Sequence, residues 1–449
     1  MVCGCGSISQ SNGSARHGRT PVALSRLHAS PGRFRAPLAD VFFVIERCMA
    51  PVIRSMHRYG LAIDWLGCDP PELVPSCDVR HLRPGSLIEE GNMCRYVSVL
   101  CGAVAVLLTV LSGSAVAQPS SDSNRAPLRI MHFVLSGTVP LERAREYVNQ
   151  AQAAGFTAVQ VLLTDGVRLD HAPWKPVKTA WTKAQLISWV AYARAHGLDV
   201  IPEVKLLTHQ EQFFQKHQPG LMFNAVSYDP RKEGVYQVVF GLLDELIDAL
   251  HPRAIHIGHD EAFGWTVGQV AKWLKFGEVM APADLFARDV ERIHGYLSQK
   301  GVETWMWADM LLDPAEFPGA SSKHLHGMAA GYGKAVRNRL PRDIVMCDWH
   351  YGDEQGSFPS MAVMQSEGFR VIGATWKREE TMRNFSRYAL SRKAYGLMAT
   401  TWFHVQRNDR DLVDWIIHSS GRLFRNPDAA VPPRPASAAS PEGHGRTAP

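Results

Sequence analysis

From residue 128 to residue 423 the chain repeats one pattern: a short apolar stretch, usually followed by an amphipathic one. Eight apolar stretches read as strands, at residues 128–135, 157–163, 199–204, 253–258, 302–307, 343–347, 369–374 and 397–403. Helical periodicity predicts helices at residues 141–154, 183–196, 234–250, 283–300, 360–367, 380–394 and 411–423. Gly155, Gly197, Gly301, Gly368 and Gly396 each stand between a helix end and the next strand, where a left-handed residue stops a helix. Continuous apolar strands alternating with helices demand a parallel sheet covered on its outer side. Eight such units in about 300 residues predict an α/β fold, a closed parallel (β/α)8 TIM barrel with outer helices. An open doubly wound sheet is the rival, but no glycine-rich phosphate loop follows the first strand.

In a closed barrel of this kind the chemistry gathers where the strands end at their C-terminal side. The fourth strand ends in Gly258-His-Asp-Glu261. Neighbouring residues of a strand point to opposite faces, so Asp260 and Glu261 serve one site only if the strand stops at Gly258 and the backbone turns there. Paired carboxylates suit glycosidic bond cleavage, one handling the proton and the other the charge at the sugar. The other strand ends supply Asp165, His209, Trp307 with Asp309, Trp349 with Tyr351, Trp376 with Lys377, and Trp402 with His404. Acids, histidines and aromatics thus collect at one predicted rim. Read singly, each has a plainer reading: Asp165 as a turn residue, His209 as a loop histidine, His256 as a buried brace, each Trp as packing.

The segment His256-Ile-Gly-His-Asp-Glu261 resembles the His-x-Gly-Gly-Asp-Glu signature of family 20 glycoside hydrolases, the β-N-acetylhexosaminidases. Pro202-Glu203 leading to His209, Leu163-Thr-Asp165, Trp307-x-Asp309 and the Trp at the eighth strand agree with it. The resemblance is nearest to compact, single-barrel members. It implies a retaining mechanism in which the substrate's 2-acetamido oxygen is the nucleophile. Glu261 would then be the general acid and base, and Asp260 would orient the acetamido N–H. Asp165 and His209 would form a hydrogen-bonded relay to Glu261. His256, Trp307, Asp309, Trp349, Tyr351, Trp376 and Trp402 would bind the sugar, Tyr351 through the acetamido oxygen. The implied partner is a β-N-acetylhexosaminide oligosaccharide or glycoconjugate, with no cofactor and no metal. Three features depart from the pattern: His259 replaces the second glycine, the first strand lacks an Arg that grips outer hydroxyls, and Lys377-Arg378 follows the seventh strand.

Two other functions fit the same residues. His209, His256, His259 and Asp260 offer nitrogen and oxygen ligands for a metal-dependent hydrolase, although the first strand lacks a His-x-His pair. A non-catalytic sugar-binding barrel would suit the altered glycine and the missing Arg. The net charge of +5 in 449 residues is too small to argue for nucleic acid.

Outside the barrel, residues 93–117 read as a signal peptide: Arg95, an apolar core at 97–111, and the small residues Ala115-Val-Ala117. Export to periplasm or medium is expected, with membrane contact only if that segment is retained. Residues 1–92 are Arg-rich, lack Lys and show no periodicity, and are expected to be a disordered, non-native extension of the reading frame. Seven of eight cysteines precede the cleavage point, so Cys347 alone has no partner for a disulfide within the exported part. Residues 118–126 form a linker, 127–425 the catalytic barrel, and the Pro-rich 426–449 a disordered tail.

Overall fold

A computed structural model describes residues 126–435, apart from 211–212, 263–273, 275–276, 319–324 and 328. The expectations for residues 1–125 and for 436–449 lie outside the described residues. Among the described residues no helix is long and apolar enough to cross a membrane.

Eight parallel strands close into a barrel in sequence order, the last paired with the first. They are β1 (Leu128–Leu135), β2 (Ala158–Leu163), β3 (Asp199–Leu206), β4 (Ala254–Gly258), β5 (Glu303–Trp307), β6 (Val345–Trp349), β7 (Arg370–Thr375) and β8 (Gly396–Thr400). The flanking helices are α1 (Leu141–Ala153), α2 (Lys183–Ala195), α3 (Glu233–Leu250), α4 (Ala283–Gln299), α5 (Tyr332–Arg339), α6 (Pro359–Ser366), α7 (Glu379–Ser391) and α8 (Arg410–Leu423). This is the α/β barrel that the alternation predicts.

Strand parity divides the core in two. One set of alternating side chains faces the helices, and the other fills the barrel: Ile130, Ala158, Ile201, Ala254, Trp305, Val345, Ile372 and Met398 among them. Toward the strand C-termini the same inward register turns polar, with His132, Gln160, Glu203, Lys205 and His256 all at or below 9% exposure. On the outside α3 shows the reason helices form here: Val235, Val239, Leu242, Leu246 and Leu250 recur at helical spacing and are buried. A capping box of Thr182 with Gln185 starts α2.

Three readings are corrected. Gly155, Gly197, Gly301 and Gly368 take positive φ after their helices, but Gly396 opens β8, and Lys393 holds the left-handed position there. The fifth unit does have a helix, α5, which the sequence reading passed over because Tyr-Gly-Lys-Ala-Val-Arg-Asn-Arg carries little apolar periodicity. Finally, the tail is ordered over residues 426–435. Arg383 donates to the carbonyls of Pro427 and Ala429, Trp415 Nε1 donates to Pro432 O at 2.8 Å, and Val431 packs on the core. Side chains of α7 and α8 supply the partners that a proline-rich segment cannot supply to itself.

Candidate active site

The turn after β4 determines the site. Gly258 has φ +75°, and a Cβ there would stand 3.0 Å from the Val204 carbonyl, so β3 crowds out any other residue. The next positions continue the deviation: His259 has φ +66° and Glu261 φ +52°. Of the eight non-glycine residues with positive φ among the described residues, five follow strand ends at this rim: Leu207, His209, His259, Glu261 and Trp402. Each left-handed residue costs about 1–2 kcal/mol, and strain of this kind gathers at functional sites.

The turn lets consecutive acids share one partner. His209 Nε2 lies 3.3 Å from Asp260 Oδ2 and 3.5 Å from Glu261 Oε2. Lys205, inward-facing on β3, donates to Asp260 Oδ2 at 2.7 Å and sits 3.6 Å from Glu203. Asp260 Oδ1 is buried and has no hydrogen-bond partner among the described residues. Burial alone would raise the Asp260 carboxyl, but Lys205 and His209 outweigh it and hold the group far below the usual carboxylate range. For Glu261 burial wins and pushes the carboxyl up to about 7; His209 and His326 pull against it, and Asp260 and Asp309 add to it. Burial opposes the His209 charge, yet Asp260 beside it keeps the imidazole up at about 9. Two adjacent carboxyls are therefore set apart in proton affinity, one ionised and one able to carry a proton near neutrality.

Below the acids lies a polar hub that sequence reading missed. Glu203 accepts from Trp307 Nε1 at 2.9 Å and Gln160 Nε2 at 2.8 Å, and is 3.1 Å from His132 Nε2. Burial opposes its charge, but His256, Lys205 and His132 outweigh burial and hold its carboxyl well below the normal range. The signal was available: Glu203 and Lys205 share the inward parity of Ile201, so both enter the barrel.

The predicted residues divide into three groups. Asp260, Glu261 and His209 meet. Trp349, Tyr351, Trp376 and Trp402 are partly exposed and form an aromatic wall. Tyr351 stacks on Trp349 at 4.7 Å and meets Trp376 and Trp402 edge-on at 5.7 and 6.3 Å.

The third group is placed otherwise than expected. Asp165 builds no relay to His209: its Oδ1 accepts from Ser136 Oγ and from Gly137 N at 2.8 Å, tying down the loop after β1. His256, Trp307 and Asp309, expected against the sugar, have exposures of 0%, 0% and 1%. His256 Nδ1 accepts from Gly258 N, and burial lowers its basicity to about 4, so it braces the turn as a neutral ring. Trp307 spends its N–H on Glu203. Asp309 Oδ2 accepts from Glu261 N at 2.9 Å and lies 2.8 Å from His326 Nδ1, while its Oδ1 accepts from Trp349. These groups hold the backbone of the acids from beneath.

The bulk of His259 goes behind the site. Its Nε2 lies 2.9 Å from Asp289 Oδ2 on α4, and Tyr228 and Tyr236 donate to the same carboxylate. The four metal ligands considered above therefore do not converge: His256 and His259 point to other partners. Among the described residues, His209, Asp260 and Glu261 bring ligand atoms within 4.8 Å, with the Lys205 ammonium already seated on Asp260.

Comparison with known proteins follows the same lines. The model of "Glycosyl hydrolase family 20, catalytic domain" matches residues 149–416, more than half of the chain. A beta-hexosaminidase of Akkermansia muciniphila is 29% identical over 100 residues, 19% of this chain and 20% of that protein. Beta-hexosaminidase 1 of Coccidioides posadasii is 24% identical over 207 residues, 41% of this chain and 31% of that protein. The chain thus spans less than a third of these relatives in the matched segments. The solved chitobiase of Flavobacterium johnsoniae superposes with a TM-score of 0.50 at 13% identity, covering 67% of this chain and 48% of that one, and speaks for the fold. With the family's catalytic domain matched across most of the barrel, the chain belongs to glycosyl hydrolase family 20.

Proposed function

We propose that this protein is an exported, retaining glycoside hydrolase that removes terminal β-linked N-acetylhexosamine by substrate-assisted catalysis. The observation that carries the reading is the pairing of two adjacent carboxyls with opposite tasks at one rim. Asp260 is ionised and held through Oδ2 by Lys205, as a fixed counter-charge beside an acetamido group needs. Glu261 holds a proton near neutrality and is 19% exposed, as a proton donor to a leaving group needs.

In the reaction, the acetamido oxygen attacks the anomeric carbon while the glycosidic bond breaks and its oxygen takes the Glu261 proton. Positive charge then spreads over the cyclised amide, opposite the Asp260 carboxylate. Water next attacks the anomeric carbon, Glu261 recovers its proton from that water, and the acetamido group reopens with configuration retained. The aromatic wall of Trp349, Tyr351, Trp376 and Trp402 offers flat faces to the sugar and excludes water from the charged intermediate. Export rests on the composition of residues 93–117, and N-terminal sequencing of the natural product tests it: a mature protein retaining those residues would refute cleavage.

The activity is tested with two chromogenic substrates that differ only at C2. The β-N-acetylglucosaminide is cleaved and the matching β-glucoside is not. Equal turnover of both overturns substrate assistance.

A further inference from the structure

We infer that Lys205 is a positioning residue for this reaction: its ammonium group holds Oδ2 of Asp260 and so fixes the direction and charge of the carboxylate that serves the substrate's amide. The inference rests on the function proposed above.

Parity on β3 sends Lys205 into the barrel two residues beyond Glu203, and its side chain is only 8% exposed. A buried ammonium is costly unless its charge and its donors are met. Here they are met from three sides: Asp260 Oδ2 at 2.7 Å, Glu203 Oε1 at 3.6 Å, and the face of Trp402 at 5.4 Å. The arrangement is asymmetric where it matters. Both cations near Asp260, Lys205 and His209, address Oδ2, whereas Oδ1 is buried and unpartnered. A carboxylate held by one oxygen cannot swing about its terminal torsion, so the group keeps a fixed direction before substrate arrives. An amide N–H is a short, directional donor and gains most from an acceptor already aimed. Lys205 also supplies charge. The titratable groups around Asp260 are Lys205 and Glu203 on β3, His209 after β3, His256 and Glu261 on the β4 segment, and Tyr351 after β6. Of the two cations among these, Lys205 is the closer to Asp260.

The test uses the full chain with Lys205→Met, Lys205→Gln, Asp260→Asn and the double variant Lys205→Met/Asp260→Asn. On the N-acetylglucosaminide, Lys205→Met lowers kcat by about tenfold or more with a smaller change in KM, the signature of lost transition-state aim. The acid limb of its pH profile moves up by about one unit or more as Asp260 loses its nearest cation. Lys205→Gln, which keeps an N–H donor without the charge, recovers part of kcat but not the acid limb. Lys205→Met with wild-type kcat and an unmoved acid limb overturns the inference. Melting temperatures provide a readout independent of turnover. Removing Lys205 alone leaves buried Asp260 with His209 as its remaining cation, so the double variant regains part of the loss. If the wild-type protein fails to cleave the N-acetylglucosaminide, the proposed function falls, and the melting cycle decides by itself: additive losses overturn the Lys205–Asp260 lock, non-additive losses uphold it.

Discussion

Of the acid–histidine clusters at the C-terminal ends of strands in this barrel, those after β4 and β6 invite comparison, and the first alone of these two has the properties of a site. After β6, Ser360 Oγ lies 3.0 Å from His350 Nε2, and His350 Nδ1 lies 2.6 Å from Asp353. By distance alone this is the arrangement of a nucleophilic serine triad. Yet Ser360 is 1% exposed, and its hydroxyl donates to Asp348 Oδ2 at 2.7 Å. Burial opposes a charge on His350, but Asp348 and Asp353 overcome it and raise the ring to about 9, which makes the cluster a structural ion network. Phe358 and Phe385 close over the ring at 4.8 Å each. After β4, by contrast, His209 is 24% exposed, Glu261 19%, and Asp260 keeps an unpartnered oxygen. Proximity of acids to histidines does not make chemistry. A proton that a substrate can reach does.

The largest effect expected from this contrast is at Glu261. Glu261→Gln lowers turnover of substrates with poor leaving groups by at least about a hundredfold, the usual scale of general acid catalysis. The same residue sets the pH response. Its protonated form is the active acid and its carboxyl is raised to about 7, so kcat/KM falls as pH rises through that region. Asp260 is held ionised far below its ordinary range and adds no acid limb until strongly acidic pH. Glu261→Gln removes the alkaline limb; a profile unchanged in the variant would break the assignment.

Next comes Asp260→Asn. It replaces an acceptor and a negative charge with a neutral amide, and costs about 10²–10³ in kcat on N-acetylhexosaminides. A loss confined to KM would place Asp260 in ground-state binding only. The smallest effect on turnover is expected at the second cluster. Ser360→Ala leaves kcat within about twofold, while the loss of a buried partner for Asp348 costs about 1–3 kcal/mol of stability, read from denaturant unfolding. A collapse in kcat without loss of stability would reverse the comparison.

Much of this was legible in the chain itself. Apolar stretches, helical periodicity and the terminating glycines specify which segments become strands and which helices, because those choices depend on neighbours a few residues away. The stop at Gly258 was legible for the same reason, and with it the prospect that Asp260 and Glu261 share a site. Helix α5 escaped because its eight residues include Gly333 and few apolar ones, so tertiary packing rather than propensity makes it helical.

Closure of the barrel decided the rest. Trp307 reads as a sugar platform until β3 places Glu203 against its indole N–H, 104 residues away in sequence. Asp165 reads as a relay partner until Ser136 and Gly137 of the first loop claim it. Lys205 carries no signal of its own in the sequence beyond its inward parity; its role appears only when β4 brings Asp260 within 2.7 Å. Local pattern settles what each segment becomes and which way its side chains alternate. Which polar groups meet, which are sealed, and which stay open to a substrate depends on contacts across the barrel, and those exist only once the eighth strand has closed on the first.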